Sequence, residues 1–167
     1  DGLIEEFYDN GQLKSKGNYK NGKSDGIHEM YYDDGDLHSK ENYKNGNKEG
    51  LVEVYREDGT LEYREHYKDG LLDGLKEEMW SDGDFKERTN YKNGKKHGLQ
   101  EDFMDGCVYT IDTYDNGKKV LSKRYEEGFC STDESNLRGI QYYKNSRQHG
   151  VDISYFPRGK LYSVFCY

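Results

Sequence analysis

The chain has 167 residues, of which 35% are charged and 32% hydrophobic, and it carries a formal net charge of −8. The negative charge disfavours a nucleic-acid backbone or an anionic membrane as the main partner. No apolar run is long enough to span a bilayer as a helix. The 17 tyrosines and 6 phenylalanines supply enough aromatic area for a folded core despite the polar composition.

The sequence repeats with a strict period of 24 residues over its first part. The period is marked by Gly2, Gly26, Gly50, Gly74 and Gly98. Further units start near residues 121 and 150, and a polar insertion at about 130–136 interrupts the sixth. This self-similarity is typical of repeat proteins. We therefore predict a single repeat domain over residues 1–167, with about seven units.

Each unit contains two turns of the Asn-Gly or Asp-Gly type between short alternating runs, which is a strong hairpin signal. A lone hairpin is marginal in water, so the hairpins are expected to stack edge to edge and bury the recurring tyrosine. The residues expected to have this structural role are Gly11, Gly26, Gly35, Gly50, Gly59, Gly74, Gly83, Gly98, Tyr19, Tyr43, Tyr67 and Tyr91.

A two-residue turn at Asn10–Gly11 would place Glu5 opposite Lys16 and Tyr8 opposite Leu13. The same rule in the next units predicts the pairs Glu29–Lys40, Glu53–Arg64, Glu77–Arg88, Tyr32–Leu37 and Trp80–Phe85. An acid therefore faces a base in four units, which supports the register. The arms between turns are unequal in length, so we expect a bulge at the Gly26-type position.

The stretches GLIEEFYDNGQL, GIHEMYYDDGDL and GLVEVYREDGTL, followed by partners such as YKNGKSDG, resemble the MORN-repeat family. The similarity is closest to the variant found in bacterial arrays associated with toxin–antitoxin systems. It implies an all-β fold, an elongated array of about seven 24-residue hairpins that form one twisted antiparallel sheet. It also implies that the array binds something and that its motif residues are structural.

No residue pattern indicates a reaction, so the chain is expected not to be an enzyme and to need no cofactor. His97 and His149 share a column, but a zinc site needs four converging ligands, and a solvent-facing column is the simpler interpretation. The Asp-rich turns lack the spacing of a calcium loop. Cys107, Cys130 and Cys166 make an odd count without a metal spacing, so reduced thiols are expected.

The basic residues Lys14, Lys16, Lys40, Arg64, Lys86 and Arg88 form a stripe. Because a Glu column lies beside it, we interpret the stripe as a solvated salt ladder rather than a nucleic-acid site.

An aromatic face is the expected recognition surface, with Tyr8, Tyr32, Trp80 and Phe85 as candidate protein-binding residues. The favoured function is a non-enzymatic protein-interaction module, and an acidic chain suits a basic protein partner. An antitoxin- or immunity-like role is implied by the resemblance alone. The alternatives are a structural or cell-envelope array with lipid contact, and an accessory domain of a larger protein. The compartment stays open between the cytoplasm and, if a signal was removed, the envelope.

The two edge strands, expected over Leu3–Tyr8 and Val151–Tyr167, offer unpaired backbone groups. The last of them carries the apolar run LYSVFCY. We therefore expect end-to-end pairing of two copies, with the C-terminal strand as the dimer contact.

Overall fold

The structure is a computed structural model that describes residues 1–125, 132, 136–144, 147–155 and 161–166. Most of the predicted insertion, the turn that the sequence predicts at Gly159, and the last residue, Tyr167, lie outside the described residues. The chain divides into two compact units, residues 1–83 and 84–167. The prediction of one repeat domain stays a prediction.

The first unit consists of antiparallel strands that hydrogen-bond in chain order, except that the short β5 pairs only with β4. Its strands are β1 (Gly2–Phe7), β2 (Leu13–Lys20), β3 (Lys23–Tyr31), β4 (Leu37–Lys44), β5 (Asn47–Lys48), β6 (Gly50–Tyr55), β7 (Leu61–Lys68) and β8 (Leu71–Met79). Successive strands are hairpin-connected, as the turn spacing predicts.

The second unit is also built of antiparallel strands that pair in chain order. Its strands are β9 (Phe85–Lys92), β10 (Lys95–Met104), β11 (Cys107–Asp115), β12 (Lys118–Tyr125), β13 (Leu137–Lys144), β14 (Arg147–Tyr155) and β15 (Leu161–Cys166). The prediction of an all-β array of antiparallel hairpins is confirmed. None of the described residues forms a helix of the length and apolarity that crossing a bilayer requires.

The Tyr-Lys-Asn-Gly motif forms two-residue turns in which both central residues are left-handed. Asn21 has φ 51° and Gly22 has φ 71°, and the pair Asn45 and Gly46 repeats this geometry. Two consecutive positive φ angles define the type I′ turn, whose twist matches that of the flanking strands. Asn and Gly are the residues that tolerate this conformation best, which explains why the motif recurs.

The Asp-Asn-Gly turns have a different geometry from the predicted one. The Tyr8 N–H donates to the Gln12 carbonyl at 2.8 Å, and the Gly11 N–H donates to the Tyr8 carbonyl at 2.9 Å. Three residues, not two, therefore form the loop, with a type I turn followed by a left-handed glycine. The predicted pair Tyr8–Leu13 is wrong, because Leu13 pairs with Phe7.

The same correction applies to Tyr32–Leu37, because Leu37 pairs with Tyr31. A bulge two residues from each such turn restores the predicted register. For this reason the pairs Glu5–Lys16, Glu29–Lys40 and Glu53–Arg64 are confirmed. The residues of the pairs Glu77–Arg88 and Trp80–Phe85 fall in different units.

The unequal arms are accommodated at the repeat glycine, as predicted. Between β2 and β3 the pairing steps from Gly17–His28 to Tyr19–Ser24, so β3 contains two extra residues at that point. Gly26 lies in the extra segment with φ 109°, which residues with a Cβ rarely adopt. All twelve residues assigned a structural role lie in described strands or turns, and the eight glycines among them have positive φ.

The most buried apolar side chains among the described residues are found in both units. Those below a tenth exposed are Val52, Val54, Met79, Phe103, Cys107, Tyr125 and Leu137. Cys107 is disulfide-bonded, so the expectation of reduced thiols is wrong for this residue. Cys166 is a free and exposed thiol.

Candidate functional site

A row of alternating acidic and basic side chains crosses the strands of the first unit. We call it the charge ladder, and its members are Glu5, Lys16, Glu29, Lys40, Glu53, Arg64 and Glu77. The Lys16 ammonium lies 2.6 Å from the Glu29 carboxylate, whereas Lys40 lies 4.0 Å from it. The closer of these two contacts therefore joins β2 and β3, which belong to neighbouring repeats.

Hydrogen bonds within the ladder stabilise its ionised carboxylates. Lys16 and the Tyr31 hydroxyl donate to Glu29, and together they lower the pKa of Glu29 against the opposing effect of burial. Arg64 and Glu77 form an equivalent pair, in which Glu77 is almost fully buried. Lys16, Lys40 and Arg64 of the basic stripe thus each pair with a ladder carboxylate, which favours a structural role for these three residues.

Tyr8 and Tyr32, two of the candidate binding residues, connect successive repeats. The Tyr8 hydroxyl donates to the Tyr31 carbonyl at 2.8 Å, and the Tyr32 hydroxyl donates to the Tyr55 carbonyl at 2.7 Å. Both side chains are half-buried. Each tyrosine therefore ties its own turn to the end of the next hairpin, a function that occupies its only polar group.

Arg56 occupies the same position in the third repeat, where the aromatic pattern breaks. Its guanidinium donates to the Met79 carbonyl at 2.5 Å and to the Leu61 carbonyl at 3.0 Å. The arginine thus reaches the same acceptor position, 23 residues ahead, that the tyrosines reach.

The other two candidates lie in different surroundings. Trp80 is exposed over 47% of its surface. Phe85 is half-buried and packs against Phe103, with ring centroids 5.5 Å apart and the Arg88 guanidinium 5.1 Å from its centroid. The four candidates thus divide into repeat-connecting tyrosines, an exposed indole and a packed ring. Their part in binding stays a prediction.

The repeat tyrosines Tyr19, Tyr43, Tyr67 and Tyr91 are half-buried. Alternation along the strands places the first three, which belong to the first unit, on the sheet face opposite the charge ladder. The Tyr67 hydroxyl donates to Glu65 at 2.8 Å. Burial, followed by this hydrogen bond, raises the pKa of Tyr67. These tyrosines contribute to the packing of the face without being fully enclosed.

A lysine accompanies several of the repeat tyrosines. The Lys48 ammonium lies 5.4 Å from the Tyr67 ring centroid and 3.1 Å from the Glu41 carboxylate. In the second unit, the Lys119 ammonium lies 5.7 Å from the centroids of both Tyr114 and Tyr143. Lys119 also pairs with the buried Asp112. A cation between a tyrosine ring and a carboxylate is therefore a recurring element of this face.

The first repeat departs from this arrangement. Ser24 occupies the position of Lys48, and Gly17 occupies the position of Glu41. The His28 ring fills part of the space. Its centroid lies 5.0 Å from the ring centroid of Tyr19 and 4.9 Å from that of Tyr43. A Cβ atom on Gly17 would meet the His28 ring at 2.2 Å, so the imidazole requires glycine there.

These departures leave a cleft of about 270 Å³, which we call the His28 cleft. It is lined by Ile4, Glu6, Ser15, Lys16, Gly17, Tyr19, Ser24, His28, Glu29, Met30, Glu41 and Tyr43. Glu6 accepts a hydrogen bond from the Ser15 hydroxyl at 3.3 Å. Within the described residues, the Glu6 carboxylate forms no ion pair. The cleft therefore combines aromatic rings with an available negative charge.

Formal charge is distributed unevenly between the two units. Residues 1–83 contain 21 Asp and Glu and 11 Lys and Arg, a net charge of −10. Residues 84–167 contain 12 acidic and 14 basic residues, a net charge of +2. The acidity of the chain therefore belongs to the first unit, which also holds the His28 cleft.

The column that contains His97 has a structural role in the first unit. The Asp25 carboxylate accepts from the Asn45 N–H at 3.0 Å, and Glu49 accepts from the Asp69 N–H at 2.9 Å. These carboxylates thus hold the next Asn-Gly or Asp-Gly turn. His97 lies 3.5 Å from Asp115. Across the described stretches, no three His, Cys, Asp or Glu side chains are grouped so that they could hold a metal ion.

The last described strand, β15, is apolar and exposed. Leu161, Tyr162, Val164 and Phe165 each expose about half of their surface or more, up to 64% for Tyr162. β15 pairs with β14 on one side and ends the strand order of the described residues. Its position agrees with the predicted edge, whereas the predicted dimer stays a prediction.

The family comparison agrees with the repeat geometry. The model of the MORN repeat variant matches residues 1–21, 24–45 and 48–69, which are three consecutive repeats. MORN repeats are commonly protein- or membrane-binding modules. A comparison with curated proteins found no match.

Sequence reasoning missed the residues of the His28 cleft. The repeat pattern identifies side chains that recur in the repeat columns. The cleft is produced by residues that differ from the other members of their columns. Gly17 and Ser24 stand where the next repeat has Glu41 and Lys48, and His28 stands where the following repeats have Val52, Lys76 and Gln100. That coincidence of departures in one repeat was the available signal.

Proposed function

We propose that the chain is a non-enzymatic repeat module that binds a basic protein through its first unit. The observation that carries the proposal is the net charge of −10 on residues 1–83, against +2 on residues 84–167. A strongly acidic surface attracts a basic partner, accelerates association and disfavours acidic competitors. The MORN-type repeats of this unit supply an extended surface for such contacts.

The proposal is tested by affinity capture from the native lysate at low salt, with the full chain as bait. A variant with Asp9→Asn and Asp33→Asn removes two exposed carboxylates of the first unit. A matched variant with Asp105→Asn and Asp115→Asn removes two exposed carboxylates of the second unit. Both changes raise the net charge by two, and the second variant also removes the contact of Asp115 with His97.

We expect the bait to retain a basic protein whose affinity falls about threefold in the first variant and stays unchanged in the second. Equal affinities for the two variants would contradict the role of the first unit. Retention of lipid or envelope fractions without a basic protein would favour a structural array with lipid contact instead.

The finer form of the proposal is an antitoxin- or immunity-like role, which the resemblance to toxin–antitoxin-associated arrays supports. In this form the module occludes the active surface of a basic toxin. The test is to express the captured partner alone and together with this chain. Growth arrest that co-expression relieves would support the role, and a harmless partner would exclude it.

A further inference from the structure

The fold contains its own examples of how this face holds a cation. Lys48 lies over the Tyr67 ring and beside Glu41, and Lys119 lies over two tyrosine rings and beside Asp112. The negative face of an aromatic ring attracts an ammonium group, and a neighbouring carboxylate adds a direct ionic contact. A lysine between ring and carboxylate is therefore a stable arrangement in these repeats.

The first repeat contains the tyrosine ring of this arrangement without its lysine, and Gly17 stands where the carboxylate partner Glu41 stands in the next repeat. Ser24 replaces the lysine that would lie over Tyr43, as Lys48 lies over Tyr67. In the part of the chain that the structure describes, no ammonium or guanidinium group lies over Tyr19 or Tyr43. The space is open because Gly17 contributes no side chain and Ser24 only a short one.

The walls of the His28 cleft suit the side chain of a lysine or arginine. Glu6 supplies a carboxylate without an ion pair, and Glu41 supplies a second carboxylate that is shared with Lys48 and the Tyr43 hydroxyl. Lys16 also lines the cleft, but its ammonium is neutralised by Glu29 at 2.6 Å. The exposed aliphatic side chains of Ile4 and Met30 can pack against a methylene stem.

We propose that the His28 cleft binds a lysine or arginine side chain of a basic protein partner, which takes the position that a lysine of the chain itself occupies in later repeats. The inference rests on the proposed function and names the contact at which the partner is recognised. An acidic or purely apolar group does not suit the cleft, because it would bring no compensating charge to Glu6 and Glu41. The charge of −10 on this unit favours the same occupant.

The test uses the full chain and an N-acetylated, C-amidated tetralysine peptide, titrated at low salt and followed by backbone amide NMR. We expect the largest shifts at Gly17, Ser24, His28 and Tyr43. The decisive variant is Ser24→Lys, which places a lysine at the position that Lys48 occupies in the next repeat. Its matched control is Ser81→Lys, which adds the same charge at another exposed position of the first unit.

Ser24→Lys is expected to weaken tetralysine binding at least about fivefold, whereas Ser81→Lys leaves it within about twofold. Equal weakening by both variants, or shifts spread over the whole unit, would overturn the inference. Glu6→Gln, at an exposed side chain, is expected to weaken binding about threefold. This second variant keeps the test valid if Ser24→Lys changes the fold.

The two proposals fail in different ways. A basic partner that is captured equally by the wild-type chain and by Ser24→Lys would contradict the cleft inference and leave the proposed function intact. Cleft-specific tetralysine binding without any basic partner in the lysate would contradict the proposed function and leave the cation site intact.

Discussion

The Tyr32 hydroxyl donates a hydrogen bond of 2.7 Å to the carbonyl of Tyr55, 23 residues further along the chain. Tyr8 and Arg56 make the same connection in the repeats before and after. Period-two alternation had assigned Tyr8 and Tyr32 to a recognition surface. The structure shows that these side chains, one residue past the end of a strand, hold consecutive hairpins together, and their part in binding stays a prediction.

Tyr32→Phe should therefore reduce stability without affecting partner capture. The change removes one donor and leaves the Tyr55 carbonyl without that partner, so the free energy of unfolding should fall by about 1 kcal/mol. Urea denaturation measures this, with Tyr142→Phe as control because that ring is exposed. A loss of partner binding at unchanged stability would show that Tyr32 belongs to the recognition surface.

Gly17→Ala should disrupt the first repeat. The new Cβ would meet the His28 ring at 2.2 Å, and overpacking of this kind costs about 1–3 kcal/mol. Gly139→Ala serves as the control, since its Cβ would meet only the Ile153 carbonyl at 3.4 Å. The double change Gly17→Ala with His28→Ala should recover most of the loss in chemical denaturation. If Gly17→Ala were neutral, the imidazole would not be fixed in the cleft.

Asp102→Asn should stabilise the protein at neutral pH. Burial, assisted by the charges of Glu87 and Asp112, raises the pKa of Asp102, although the Gln100 side chain opposes this by donating a hydrogen bond at 2.9 Å. A raised pKa means that the folded state binds the proton more tightly than the unfolded state. Ionisation of Asp102 therefore lowers the free energy of unfolding at pH values above the pKa that this carboxyl has in the folded state.

This destabilisation disappears as the pH falls below about 3.9, the pKa of an aspartate in the unfolded state. The advantage of Asp102→Asn should accordingly decrease in acid, as measured by thermal unfolding at pH 7 and at pH 3.5. An Asp105→Asn control, at an exposed turn residue, should show no such difference. An advantage that grew in acid would contradict the assigned direction.

Phe165→Glu should reduce the solution mass if β15 forms the predicted contact between two copies. A charge on this exposed edge opposes pairing, as charged side chains do on natural edge strands. Leu3→Glu, which adds the same charge on exposed β1, distinguishes pairing of two C-terminal strands from head-to-tail pairing. Light scattering measures the mass. A wild-type chain that is monomeric at high concentration would exclude the dimer.

Much of the hairpin arrangement could be predicted because the turn residues have strong local preferences. Asn21 and Gly22 determine a type I′ turn almost alone, and the pairs Lys20–Lys23 and Tyr19–Ser24 beside it follow from that turn. The geometry at Asn10–Gly11 was predicted incorrectly, since a two-residue loop and a three-residue loop with a bulge give the same distant register. Only the pairing of residues next to the turn, such as Tyr8 and Leu13, differs between the two loops.

The candidate site could not be predicted in the same way. The Tyr8 and Tyr32 bonds join residues 23 positions apart, and such contacts depend on how repeats stack rather than on local pattern. The His28 cleft depends on the absence of side chains at Gly17 and Ser24. A repeat pattern identifies the residues that recur. It carries little information about a cleft that forms in one repeat because small residues replace larger ones there.

The central claim is that the acidic first unit recognises a basic protein. Hydrogen–deuterium exchange of the full chain, with and without its captured basic partner, tests it most directly. We expect the partner to add protection from exchange within residues 1–83, and this protection should be strongest in β1 to β4 around the His28 cleft. Protection confined to residues 84–167, with the first unit unchanged, would contradict it.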